Sequence, residues 1–225
     1  MSTLAIFDLD HTLLPLDSDY EWGQFLCRIG AVEPTAFAER NAVFYAQYQH
    51  GTLDPIEYLH FAFGTLAQFP RTQLDAWHAQ FMDEVIHPAI TPAARALIRQ
   101  HQDSGAQTVI ITATNRFVTA PIAHALGVVN LIAAEPELHG AGEFTGRPAD
   151  GTPPFGAGKV TNLTAWLAAQ QQTLDDFGAS YFYSDSQNDI PLLSVVTHPV
   201  ATNPNDRLAA HAQAQGWPIL HLFND

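Results

Sequence analysis

Short apolar runs that stop on polar residues, with stretches of helical period between them, organise this chain. Residues 4–7 (Leu-Ala-Ile-Phe) form an apolar run of the kind a buried parallel strand uses, and it breaks at once into Asp8, Asp10 and Thr12. Residues 17 to about 87 read as three or four helices. Pro34, Pro55, Pro70 and Pro88 fall at intervals suited to first-turn positions or to breaks between short helices. Asp54-Pro55-Ile56-Glu57 carries a full start signal, with Asp as N-cap, Pro in the first turn and Glu at the third position. Phe37, Asn41, Phe44, Tyr45 and Tyr48 share one helical face, as do Trp77, Phe81 and Val85. Most such aromatics pack as core, and a minority are expected to line a pocket.

From residue 88 the pattern changes to strand–helix alternation. Thr91-Pro92 opens a helix through His101 that Gly105 ends; residues 108–111 are a β-branched strand ended by Thr112-Ala113-Thr114-Asn115. A helix through Leu126 stops at Gly127, and residues 131–134 form the next strand. Residues 137–147, with Gly140, Gly142 and Gly146, form a hairpin or flap. A helix runs over 159–171, and a strand at 181–183 ends on Ser184-Asp185. Another helix starts near Ile190-Pro191, and the remaining strands lie at 200–201 and 219–222. This alternation predicts an α/β fold, a Rossmann-like parallel sheet with helices on both faces, built from residues 1–16 and 88–225. Residues 17–87 are expected to form a helical-bundle cap inserted after the first strand. Strand ends at Asp8, Thr112 and Asp185 then face one crevice, where open α/β sheets keep their ligands, and the insert roofs it.

Composition narrows the function. With 225 residues, 47% of them hydrophobic, the chain can bury a full core, and none of its apolar stretches has the length of a membrane span. The first strand starts within three residues of Met1, so no signal peptide is expected; Cys27, the single cysteine, has no internal disulfide partner, and a reducing cytoplasm is the expected compartment. Net charge is −14, from 23 acids against 9 bases, which argues against nucleic-acid and anionic-membrane surfaces. A phosphorylated substrate would need a locally positive site. Lys159 is the sole lysine, and it sits in Gly156-Ala157-Gly158-Lys159, a Gly-rich turn opening a helix. Monomer and homodimer both remain open.

Two acids as close as Asp8 and Asp10 repel each other unless a cation or a shared proton intervenes. Taken alone, the segment also reads as a polar turn that caps the next helix. The later strand ends favour chemistry: three acids, a hydroxyl and a lysine form a kit for phosphoryl transfer, which asks mainly for positioning and charge stabilisation. Asp8 is the expected nucleophile, forming an acyl-phosphate, and Asp10 the general acid and base. Thr112 and Ala113 would hold phosphoryl oxygens, with Lys159 neutralising the developing charge. Asp8 and Asp185, with Asp10 through its backbone carbonyl, are expected to hold a hard divalent cation, Mg2+ rather than Zn2+, because the eleven histidines show no zinc spacing. Asn188 and Asp189 stand beside that site; Asp189 either orients a metal-bound water or Lys159, or serves as a helix N-cap.

Asp8-Leu9-Asp10-His11-Thr12, Thr112 after an apolar strand, Lys159 opening a helix, and Asp185-Ser186-Gln187-Asn188-Asp189 resemble the four ordered motifs of the haloacid dehalogenase superfamily. The insert after the first motif resembles that of the phosphoserine-phosphatase-like branch. The resemblance implies an aspartyl-phosphate mechanism, Mg2+ dependence and a small phosphorylated metabolite as substrate. Phosphoserine phosphatases carry Glu nine positions past the nucleophile, where this chain has Asp17, and use a cap arginine for the substrate carboxylate; Arg40 and Arg71 are the candidates here, beside Arg28. Thr112-Ala113-Thr114 replaces their Ser-Gly-Gly. Phosphoserine, histidinol phosphate and other small phosphomonoesters fit equally. A phosphomutase or phosphotransferase using the same intermediate is the alternative enzyme, and a non-catalytic phosphate- or metal-binding module the alternative outside enzymes.

Overall fold

The computed structural model describes residues 2–223; Met1, Asn224 and Asp225, the outer ends of the expected core segments, lie outside the described residues. The strands are β1 (Thr3–Phe7), β2 (Gln107–Asn115), β3 (Asn130–Ala134), β4 (Pro136–His139), β5 (Glu143–Pro148), β6 (Ala179–Ser184), β7 (His198–Thr202) and β8 (Ile219–Leu220). Six of them form one sheet in the order β3-β2-β1-β6-β7-β8, with every adjacent pair parallel. β4 and β5 form a separate antiparallel hairpin where the glycine-rich segment predicts one. Strand order reverses at β1, so its carboxyl end lies at the topological switch point of the sheet.

Side chains alternate across β1. Leu4 and Ile6 enter one apolar cluster with Val109, Ile111 and Phe182, while Ala5 and Phe7 enter the other with Ile110 and Tyr183. A strand buried on both faces needs the continuous apolar run seen in the sequence. Burying each such Leu, Ile or Phe contributes about 1.5–3 kcal/mol.

The helices, in chain order, are α1 (Ser18–Arg28), α2 (Pro34–His50), α3 (Pro55–Leu66), α4 (Arg71–Phe81), α5 (His87–Ala89), α6 (Pro92–Asp103), α7 (Arg116–Leu126), α8 (Ala157–Ala168), α9 (Ile190–Leu193) and α10 (Asp206–Gln215). The start read at Asp54 is present: its carboxylate accepts from the backbone N–H groups of Ile56 and Glu57. Between α4 and α5 the chain widens into a π-helical turn, Met82–Ile86. Pro88 explains it, since a proline without N–H and with a ring crowding the carbonyl four residues back cannot continue a tight α-helix. α10, which the sequence reading leaves out, is bounded by Asn205, whose Oδ1 accepts from Leu208 N–H at 2.9 Å, and by the left-handed Gly216. No helix among the described residues is long and apolar enough to cross a membrane.

The apolar cluster on the Phe7 face runs across positions 16/17 and 87/88 without a break. Trp22 and Phe25 of α1, Leu74 and Phe81 of α4, and Phe117 and Val118 of α7 all belong to it. Trp22 packs edge-on against Phe81 and Phe117, and the imidazole of His78 bonds the carbonyl of Val118 at 3.0 Å. The inserted helices α1 and α4 are therefore packed against α7, while α2 and the start of α3 face the strand ends across a cavity.

Candidate active site

Parallel pairing of β1 with β6 sets Phe7 opposite Tyr183 and ties Asp8 N–H to the Tyr183 carbonyl at 2.9 Å. Asp8 and Asp185, which follow on the two strand paths, are thereby placed at the same edge. Between them stands Thr12, with its hydroxyl 3.2 Å from Asp8 Oδ2 and 3.1 Å from Asp185 Oδ1, and it accepts from Asp185 N–H at 3.0 Å. The loop carrying Thr12 turns through His11, whose φ of 56° is left-handed.

Lys159 reaches this edge from the first turn of α8, where only 3% of it is exposed. Its ammonium lies 2.7 Å from Asp8 Oδ1 and 2.6 Å from Asp189 Oδ2. Burial alone would pull its pKa down, but the charges of Asp189 and Asp8 outweigh that and push it up, so it stays charged. The glycines before it are a steric need. A Cβ on Gly158 would stand 2.1 Å from the Pro153 carbonyl oxygen, and Gly156 has φ 54°. Asp189 also accepts from Ser184 at 2.7 Å, so its carboxylate orients Lys159 and makes no cap hydrogen bond to α9.

Asp10 points another way. Its Oδ1 accepts from Ser18 N–H at 2.8 Å and its Oδ2 from the Thr114 hydroxyl at 2.8 Å. Burial, with the charge of Asp17 adding to it, raises its pKa to about 6. Thr114 can reach it because β2 continues to Asn115, whereas the sequence pattern ends that strand at Thr112. Thr112 and Ala113 line the cavity beside Asp8, Asp10 and Lys159, with Asn188 and Asp189 on the same wall.

Asp17 caps α1, its Oδ1 accepting from the N–H groups of Asp19 and Tyr20, and burial raises it to about 6. α2 contributes Asn41, Phe44, Tyr45 and Tyr48 to the cavity, and α3 contributes Tyr58 and Leu59. Side chains of the fourth motif fasten the roof: Asn188 and Gln187 donate to the carbonyls of Tyr48 and Gln49, both at 3.4 Å.

The two cap arginines proposed for a substrate carboxylate are not among the cavity-lining residues. Arg40 is half-exposed, pairs with Glu57 and covers the Phe44 ring from outside. Arg71 pairs with Asp75 and lies over Phe117 and Phe144, on the hairpin side of the protein. Arg28 pairs with Glu84. In each case a nearby acid or ring satisfies the guanidinium locally. Four residues that the sequence reading does not single out shape the site: Ser18, Asp19, Thr114 and Asn115.

Among the described residues no three His, Cys, Asp or Glu side chains converge to hold a metal by themselves. The Asp10 side chain is committed to Ser18 and Thr114, so only its backbone could join Asp8 and Asp185, as the sequence reading has it. Burial and the charges of Asp8 and Asp189 push the Asp185 pKa well up. Uncompensated negative charge of that kind suits a hard cation that takes few protein oxygens and keeps waters.

Comparison with known proteins agrees with this architecture. The family model described as haloacid dehalogenase-like hydrolase matches residues 5–194. A histidinol-phosphatase of Neisseria meningitidis serogroup C (strain 8013) is 42% identical over 222 residues, covering 99% of this chain and 100% of the relative. A phosphoserine phosphatase of Mycobacterium tuberculosis (strain ATCC 25618 / H37Rv) is 30% identical over 222 residues, 97% of this chain and 70% of that protein. Among solved structures, a Bordetella pertussis Tohama I protein of unknown function superposes with a TM-score of 0.94 at 48% identity, covering 99% of this chain and 100% of that one. A phospho-aspartyl intermediate analogue of a phosphoserine phosphatase matches with a TM-score of 0.69 at 17% identity, covering 100% and 95%, a likeness of fold. The chain belongs to the haloacid dehalogenase-like hydrolases. Within them it is a phosphatase.

Proposed function

We propose that the protein is a Mg2+-dependent phosphomonoesterase that works through an aspartyl-phosphate and acts on histidinol phosphate. The observation that carries the chemistry is the position of Asp8, at the end of the switch-point strand and against the buried ammonium of Lys159. Asp8 attacks phosphorus, the bond to the leaving oxygen breaks, and Asp10 supplies the proton that makes it an alcohol. Water then attacks the acyl-phosphate, Asp10 takes its proton, and phosphate leaves. The pKa of Asp10, raised to about 6, supports this shuttle because both protonation states are accessible near neutrality. Thr112 and the backbone at Ala113 receive phosphoryl oxygens, and Lys159 balances their charge. Asp8 and Asp185 would hold the Mg2+, which supplies charge neutralisation at the phosphate when bound.

The cavity's composition supports histidinol phosphate over phosphoserine. Among the described residues lining it, Lys159 is the one base, and it already faces Asp8 and Asp189. A serine carboxylate would find Asp17 and Asp19 with no guanidinium between them. Histidinol phosphate carries an ammonium and an imidazole and no carboxylate. The full-length match to a histidinol-phosphatase points the same way.

The test is turnover of histidinol phosphate, phosphoserine and an aryl phosphate, with and without Mg2+, by wild type and Asp8→Asn. Wild type should favour histidinol phosphate and need Mg2+, and Asp8→Asn should lose turnover while melting as a folded protein. Substantial activity in Asp8→Asn removes the nucleophile assignment. Run in 18O-water, hydrolysis puts label into released phosphate; unlabelled product means transfer to another acceptor.

A further inference from the structure

Asp19 occupies the first turn of α1, where an acid ordinarily sits in solvent and favours the helix dipole. Here it is 7% exposed and held by neutral donors from α3 and from the end of β2. The Tyr58 hydroxyl of α3 donates to Oδ2 at 2.6 Å, and the Asn115 amide at the start of α7 donates to Oδ1 at 2.9 Å. The Asn115 side-chain oxygen is itself fixed by the Val118 N–H at 3.0 Å. Three elements thus converge to aim one carboxylate, and donors on both oxygens favour its ionised form.

Among the described residues no cation faces it. The charges it feels are those of Asp17 and Asp10, and burial pushes it up to about 7. An ion placed so, without a counter-ion, is expensive to keep. A carboxylate has about four acceptor positions, and Tyr58 and Asn115 use two, so capacity remains on the cavity side. Rings stand beside it: Phe44 packs edge-on against Tyr58 with centroids 5.3 Å apart, and Tyr20 and Tyr45, themselves 4.9 Å apart, line the same cavity. Aromatic faces attract cations and stack on flat heterocycles. Asp17 differs, because its Oδ1 caps α1 and so has a local structural use. The cavity therefore has a phosphate end at Lys159 and Thr112 and an end walled by acid and aromatic groups.

We infer that Asp19, positioned by Tyr58 and Asn115, is the specificity-determining carboxylate that receives a cationic nitrogen, ammonium or imidazolium, of the substrate's leaving group. The substrate class is the phosphomonoester of a cationic amino alcohol. This rests on the histidinol phosphate reading above and adds the residue that selects for it.

The experiment is the ratio of kcat/KM for histidinol phosphate to that for p-nitrophenyl phosphate, which bears no cation. Asp19→Asn should lower the ratio by about 10-fold to 100-fold through the KM for histidinol phosphate. Tyr58→Phe, which leaves the carboxylate but frees one oxygen, should lower it by a smaller factor, and it decides the matter if Asp19→Asn does not fold. A ratio within about twofold of wild type in the folded variants overturns the assignment. A general loss on both substrates, leaving the ratio intact, does the same by making Asp19 a structural tie. A wild type without preference for histidinol phosphate overturns the substrate reading itself.

Discussion

Replacing Asp19 by asparagine keeps the shape of the side chain and its bond from Asn115 while removing a buried titration. Burial raises the Asp19 pKa from the usual 3.8 to about 7. Between those values the folded chain holds a proton that the unfolded chain has released, so stability falls as pH rises through the window. The cost is absent below the unfolded value and complete above the folded one. A rise of about three pH units, at about 1.4 kcal/mol each, sets that cost near 4 kcal/mol. The amide of the variant does not titrate, so Asp19→Asn should match wild type near pH 4, gain on it through pH 5–7, and lead by about 2–4 kcal/mol at pH 8. Urea unfolding in phosphate-free buffer, followed by tryptophan fluorescence at several pH values, measures the difference. A lead that does not vary with pH, or a variant less stable than wild type at pH 8, refutes the argument. Confirmation would mean that the residue assigned to substrate selection lowers the stability of the enzyme without substrate, as functional sites commonly do.

Lys159→Met strands Asp8 and Asp189 as buried anions and should cost about 3–5 kcal/mol in denaturant unfolding at pH 8. Adding Asp189→Asn should recover part of that loss, and strict additivity would argue against the pair acting as a unit. Gly158→Ala sets a methyl against the Pro153 carbonyl oxygen and should lower stability by about 1–3 kcal/mol, with loss of activity as Lys159 shifts; an unchanged melting temperature would contradict the close approach. Arg40→Ala and Arg71→Ala should leave kcat/KM for histidinol phosphate within about twofold, since both guanidinium groups are paired away from the cavity.

The parts of the site that are legible in the sequence share one property: each ends an apolar strand or opens a glycine-rich turn. Asp8 and Asp185 are found because each follows directly on a buried apolar strand, Thr112 because the apolar run stops there although β2 itself continues to Asn115, and Lys159 because it is the one lysine in the chain. Asp19 has no such mark. In the first turn of an amphipathic helix an acid reads as solvated, and only tertiary packing brings it Tyr58, 39 positions away, and Asn115, 96 positions away. Thr114 is hidden because the last residues of β2 are polar yet still extended. Arg40 and Arg71 attract attention because a substrate carboxylate would need an arginine; Glu57, 17 positions from Arg40, does not mark itself as a partner, whereas Asp75, four positions after Arg71, forms an i,i+4 pair that the sequence already carries. The change of pattern at residues 16/17 and 87/88 is legible, whereas the packing of Trp22 against Phe81 and Phe117 across those positions is not, because contacts between distant helices leave no mark in local texture.

The scarcity of lysine leaves a spectroscopic handle at the centre of the reaction. Protein grown on isotope-labelled lysine carries one side-chain ammonium signal, and that signal belongs to the group between Asp8 and Asp189. Its chemical shift and proton-exchange rate would follow metal loading, phosphate binding and phosphorylation of Asp8 without any assignment problem.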